Sequence, residues 1–108
     1  MTVTVRDNLA ENRYEIYDGD HLAGFCDYKL TGTKIAFIHT EIDQAFARRG
    51  LAKQLVTEEL DDARRRGLAV LPFCPYVRKV IAQNASTYLD LVPAKDRKRL
   101  GLAEEVAG

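Results

Sequence analysis

The sequence predicts an α/β domain of the α+β kind. Its mixed, twisted sheet begins as an antiparallel meander and continues into a strand–helix–strand parallel unit with a short C-terminal helix. Three observations carry this. Short runs of alternating apolar and polar residues, split by turn residues, occupy the chain up to His39. From about Ala47 to Arg66 the apolar residues recur at helical spacing instead. A brief apolar run, Leu68 to Phe73, then follows Gly67.

Taken in order, Thr2 to Arg6 alternates Val3 and Val5 with polar residues, which predicts a short strand, and polar Asp7 to Asn12 makes a turn. Arg13 to Tyr17 alternates again. Asp18-Gly19-Asp20 is a hairpin signal, and His21 to Leu30 is the returning strand, with Leu22 and Phe25 or Tyr28 as apolar contacts. Thr31-Gly32-Thr33 turns the chain into Lys34 to His39, whose nearly continuous apolar character predicts a central strand buried on both faces. In the helix, Leu51, Ala52, Leu55, Val56, Leu60 and Ala63 form one stripe, with Lys53, Glu58, Asp61, Asp62 and Arg65 elsewhere on the wheel. Arg64-Arg65-Arg66 put positive charge at the negative end of the helix dipole, and Gly67 stops the helix. Pro75 precedes a second helix, expected over Val77 to about Gln83. The tail from Pro93 has helical composition and reads as a weakly held helix. The 108 residues suit one domain, without repeat or linker.

Sixteen basic residues balance sixteen acidic ones. Zero net charge argues against a general nucleic-acid binder, whose affinity comes from neutralised phosphates. No apolar run approaches the ~20 residues that span a bilayer, and Met1 to Arg6 shows no signal pattern. A cytoplasmic protein with no membrane association is therefore expected. Cys26 and Cys74 are too few for a disulfide scaffold. Together with His21 and His39 they fit no zinc spacing, so no metal is expected.

A helix crossing between two strands of one sheet makes those strands parallel. Both strand ends and the helix start then share one sheet edge, where such sheets bind ligands and where free helical N–H groups suit a phosphate. Three features converge there. Ala47-Arg48-Arg49-Gly50-Leu51-Ala52 opens the helix, with Gly50 allowing close backbone approach. His39 ends the first parallel strand, alternates with Ile35 and Phe37, and so projects on their face. Its ring is suited to general-base work. Cys74 ends the second strand just before a helix start, a setting that favours a thiolate. Each also has a plain reading: exposed arginines in a turn, a histidine bonded to backbone, a small buried thiol. Cys26, in mid-strand, reads as filler.

Arg49-Gly50-Leu51-Ala52-Lys53-Gln54-Leu55-Val56 and Leu71-Pro72-Phe73-Cys74-Pro75-Tyr76-Val77 resemble the very short members of the GNAT acetyltransferases. The L-P-x-C-x-Y-V segment is the most specific part, and the resemblance runs from about Tyr14 to Val92. It implies a GNAT-like sheet and acetyl-CoA as co-substrate. The pyrophosphate would lie on the backbone of Arg48, Arg49, Gly50, Leu51, Ala52 and Lys53. The pantetheine would pair with the strand around Ile38, Thr40, Glu41 and Ile42. Against the wider Q/R-x-x-G-x-G/A loop, Gly50 and Ala52 match, while Ala47 stands where Gln or Arg is expected. His39 and Cys74 match the catalytic groups suggested for the short subfamily. Near the end, Tyr88 and Asp90-Leu91-Val92 match a further motif, with Ser86 in place of its proline. Longer relatives carry helices that shape the acceptor pocket. Here the first strand leads straight to the hairpin, so the acceptor side should be open, for a second subunit of a homodimer to complete. The resemblance thus implies an N-acetyltransferase acting on an amine acceptor. Transfer would be direct, with His39 as base, or would pass through Cys74. The alternative is a CoA- or acyl-CoA-binding protein with little turnover.

Overall fold

The computed structural model describes residues 2–106. Five strands form one sheet in chain order: β1 (Val3–Asn8), β2 (Arg13–Asp18), β3 (His21–Thr31), β4 (Lys34–Ile42) and β5 (Ala69–Pro72). The first four run antiparallel, and β5 lies parallel to β4. Helix α1 (Leu51–Arg65) makes the crossover between them, as the sequence pattern predicts. After β5 come α2 (Pro75–Gln83), the single turns α3 (Ala85–Tyr88) and α4 (Ala94–Arg97), and a 3-10 turn at Leu89–Leu91 between those two.

The core lies between the sheet and α1. Leu55, Val56, Leu60 and Ala63 on the helix are fully buried, as are Ile16, Ala23, Cys26, Ile35, Phe37 and Val70 on the sheet. Each large aliphatic side chain there contributes about 1.5–3 kcal/mol. The other sheet face is bare around Arg13, Tyr17, Phe25, His39 and Glu41, all half-buried or exposed. β4 is therefore buried on one face, not two: Ile35 and Phe37 are enclosed, while Ala36 is half-buried and Ile38 is 45% exposed.

Other boundaries move for local reasons. α1 starts at Leu51 rather than near Ala47, because Gln44–Phe46 is a 3-10 turn and both Arg48 (φ 65°) and Gly50 (φ 75°) are left-handed. α2 begins at Pro75, which needs no donor at the first helical position. The tail is anchored rather than loose. Leu100 and Leu102 are buried, and Arg97 donates to the carbonyls of Val92 (2.9 Å) and Glu104 (2.7 Å).

Candidate active site

The parallel pairing of β4 with β5 runs from Lys34–Ala69 to Phe37–Pro72 and then stops. Cys74 N–H still donates to the Phe37 carbonyl at 2.8 Å. Beyond that bond β4 continues to Ile42, paired with β3 but with no β5 partner. Residues 38–42 thus leave a slot along the edge of β4 that has no strand partner, because β5 ends at Pro72 and the chain turns into α2.

The slot meets the start of α1. Gly50 caps the helix through backbone conformation alone, with no side-chain cap and no acidic residue in the first turn. The N–H groups of Leu51, Ala52 and Lys53 lack helical partners, and the positive end of the dipole is uncompensated there. A Cβ on Gly50 would meet nothing within 4 Å, so the requirement for glycine is its φ of 75°. Arg48 is exposed. Arg49 is engaged elsewhere: its guanidinium donates to Asp18 at 2.7 Å and lies 5.7 Å from the Phe46 ring.

β4 contains an irregularity that determines which side chains meet. Between the pairs Phe37–Tyr28 and His39–Asp27, β3 advances one residue and β4 advances two. Ile38 is the extra residue, and alternation reverses after it. His39 therefore does not share the face of Ile35 and Phe37, as simple alternation predicts. It packs on the bare face against Phe25, with ring centroids 6.3 Å apart, and its Nε2 lies 3.3 Å from Glu41 Oε1. Thr40 takes the inner face. Its hydroxyl lies 3.2 Å from Cys74 Sγ and 3.3 Å from Cys26 Sγ. Cys74 caps α2 and is 3% exposed. The residue that meets Cys74 is Thr40, and His39 lies on the opposite side of the sheet.

Two further groups lie beneath Thr40: Cys26, whose sequence position reads as core or surface filler, and Glu59, which the sequence reading did not single out. Cys26 is fully buried, and burial, followed by the charge of nearby Glu59, pushes its thiol up. Glu59 is fully buried on the inner face of α1, and neither carboxyl oxygen has a hydrogen-bond partner. Burial pushes this carboxyl well above the usual carboxylate range. The signal was in the helix: position 59 follows Leu55 by four and Val56 by three, inside the apolar stripe.

The later motif is structural. Arg64 donates to both Asp90 oxygens (2.8 and 2.9 Å) and to the Thr87 carbonyl, and Tyr88 donates to Asp61. These contacts lie at the C-terminal half of α1, away from its uncapped start.

An unpaired strand edge and an uncapped helix start at the same end of a parallel pair leave free backbone donors together, a setting suited to a phosphate. Residues 13–91 match the GCN5-related N-acetyltransferase family, and the chain belongs to that family. No curated protein matches it in sequence. Among solved structures it resembles a GCN5-like protein from Staphylococcus aureus (18% identity, TM-score 0.62, covering 83% of this chain and 87% of that one). It also resembles the ribosomal-protein-S18-alanine N-acetyltransferase of Escherichia coli (20%, TM-score 0.53, 73% and 50%). Ard1 from Thermoplasma volcanium aligns more loosely (19%, TM-score 0.49, 57% and 43%). The chain thus spans half or less of the latter two proteins. The likeness to the Staphylococcus aureus protein establishes the GNAT-like fold. Among the described residues, no helix is long and apolar enough to cross a membrane.

Proposed function

We propose that this chain transfers an acetyl group from acetyl-CoA to an amine. The observation that carries the reading is the end of β4–β5 pairing at Phe37–Pro72, directly beside the uncapped start of α1. The backbone of Arg48 to Lys53 would hold the pyrophosphate, with Arg48 adding charge. The free edge of Ile38 to Ile42 would pair with the pantetheine amides. The coenzyme supplies an activated acetyl thioester.

His39 is the proposed base. It stands on the bare face, where an acceptor has access, and a shallow cleft of ≈ 110 Å³ lined by Leu22, Ala23, Gly24, Phe25, Glu41 and Asp43 adjoins it. Glu41 Oε1, 3.3 Å from Nε2, orients the ring. A second reading, transfer through Cys74, is favoured by the bond from Cys74 N–H to Phe37 at the mouth of the slot. A homodimer closing the bare face, and a cytoplasmic location, belong to the same proposal.

Thermal unfolding with acetyl-CoA and with CoA tests the reading. Ligand at 100 times its dissociation constant adds about 2.7 kcal/mol, a rise of several degrees for a domain of this size. No rise would overturn coenzyme binding. A rise without acetylation across a panel of amines and peptides would leave an acyl-CoA-binding protein.

A further inference from the structure

Three side chains converge beneath Cys74, and the direct transfer chemistry uses none of them. One Thr40 hydroxyl serves both Cys74 Sγ at 3.2 Å and Cys26 Sγ at 3.3 Å. Glu59 lies in the same enclosed region with both oxygens unpaired. The titratable groups that act on it are Cys26 from β3 and Cys74 from the β5–α2 junction. Burial, the dominant influence, raises this carboxyl well above the usual range and so favours its protonated form. Both thiols are free, and β4 separates the elements that carry them, so a disulfide would need backbone movement.

The donors can be counted. With Cys74 as a thiol, its S–H donates to Thr40, Thr40 donates to Cys26, and the Cys26 S–H points to the Asp27 carbonyl at 3.8 Å. When Cys74 gives up its proton, it has none left to donate, and Thr40 must turn its hydrogen toward that sulfur. Cys26 then loses its donor. A protonated Glu59 can replace it, and Glu59 is the ionisable side chain that acts most strongly on Cys26.

We infer that Thr40, Cys26 and Glu59 form a buried donor chain that hydrogen-bonds the Cys74 thiolate, with Glu59 as a positioning residue acting through Cys26 and Thr40. Every group in the chain keeps its own proton; only the directions of donation change. The Cys74 proton leaves outward, to a base or to water. The inference rests on the reading of Cys74 as a group beside the acetyl site, and it supplies the local reason for that thiol to react.

The test is the rate at which iodoacetamide alkylates Cys74 at pH 7, read on the Cys74 peptide by mass spectrometry, with no coenzyme present. Thr40→Val is expected to slow alkylation about tenfold, the worth of one hydrogen bond to a charged group. Thr40→Ser should stay within about twofold of the parent. Glu59→Leu should slow it, and Glu59→Gln, which retains a donor, should restore it. Parental rates in Thr40→Val, or equal slowing in Glu59→Gln and Glu59→Leu, would overturn the chain. If the variants do not fold, infrared difference spectra of the parent decide. A protonated carboxyl band at pH 7 that shifts when Cys74 is alkylated supports the chain, and its absence overturns it. Slow Thr40→Val alkylation in a protein that ignores acetyl-CoA would sink the transferase reading alone. Coenzyme binding with unchanged alkylation would sink the donor chain alone.

Discussion

Arg49 is bonded to Asp18 at 2.7 Å, tying the loop before α1 to the end of β2. Asp18 is 1% exposed, and its other carboxyl oxygen has no partner. The arginine of the R-G-x-A sequence therefore serves the fold, while Arg48 is exposed beside it. Arg49→Ala should destabilise by about 2 kcal/mol, because it strands a buried charged group. Arg48→Ala should change stability by less than about 0.5 kcal/mol while weakening coenzyme binding. Denaturant titration and calorimetry on both variants separate the two roles.

Gly24 pairs with Ile42 where β4 leaves the sheet, and a Cβ there would stand 2.5 Å from the Glu41 carbonyl oxygen and collide with the Ile42 side chain. Backbone is the obstacle, so the strands must shift. Gly24→Ala should lower stability by about 1–3 kcal/mol and also weaken coenzyme binding by displacing the free edge of β4. Gly50→Ala strains only φ and should cost about 1–2 kcal/mol. Melting curves with and without acetyl-CoA distinguish a general loss from one centred on the slot.

Stability should respond to pH from two directions. Burial alone would raise Glu15, but bonds from Tyr17, Arg13 and Asn8 outweigh it and hold the carboxyl below its ordinary range. Glu15 thus contributes stability above its unfolded titration, and that contribution is lost as pH falls through the folded one. Glu59 has the opposite sign. Its folded carboxyl titrates above the ordinary range, so the folded state retains a proton that the unfolded chain sheds, and stability falls as pH rises from about 4.5. Glu59→Gln should therefore gain stability relative to the parent as pH rises from 4 to 8. A gain that does not vary with pH would contradict a protonated Glu59.

His39 and Cys74 lie on opposite sheet faces, so their substitutions should have separable effects. His39→Ala should lower kcat about a hundredfold or more with coenzyme binding unchanged. Cys74→Ala and Cys74→Ser distinguish the routes: full turnover in both removes the covalent one, and loss in both with intact binding supports it.

Much of the architecture was legible because it rests on period. The alternation in Arg13–Tyr17, the helical stripe from Leu51 to Ala63, and Gly67 and Pro75 as punctuation all describe elements that formed. The site was legible to the level of strand ends and helix start. The facing of His39 was not, because alternation assumes an unbroken pleat and Ile38 breaks it. The apolar run Ile35 to Ile38 does not mark the break, and the 45% exposure of Ile38 is visible only in the folded chain. Glu59 was missed for a related reason: its charge suggested the outer face, while its spacing from Leu55 and Val56 placed it inside.

Ile38 gives β4 one residue more than its partner β3 at this point. Were Ile38 paired with Asp27 instead of bulged out, His39 would fall opposite Cys26 and be sealed under α1, with the Thr40 hydroxyl facing outward. What separates the surroundings of the thiol from those of the imidazole is thus whether one residue is paired or looped out, rather than a change of residue type. Removing Ile38 would straighten the strand and leave both side chains on their present faces, whereas a slip of register that paired it would exchange them.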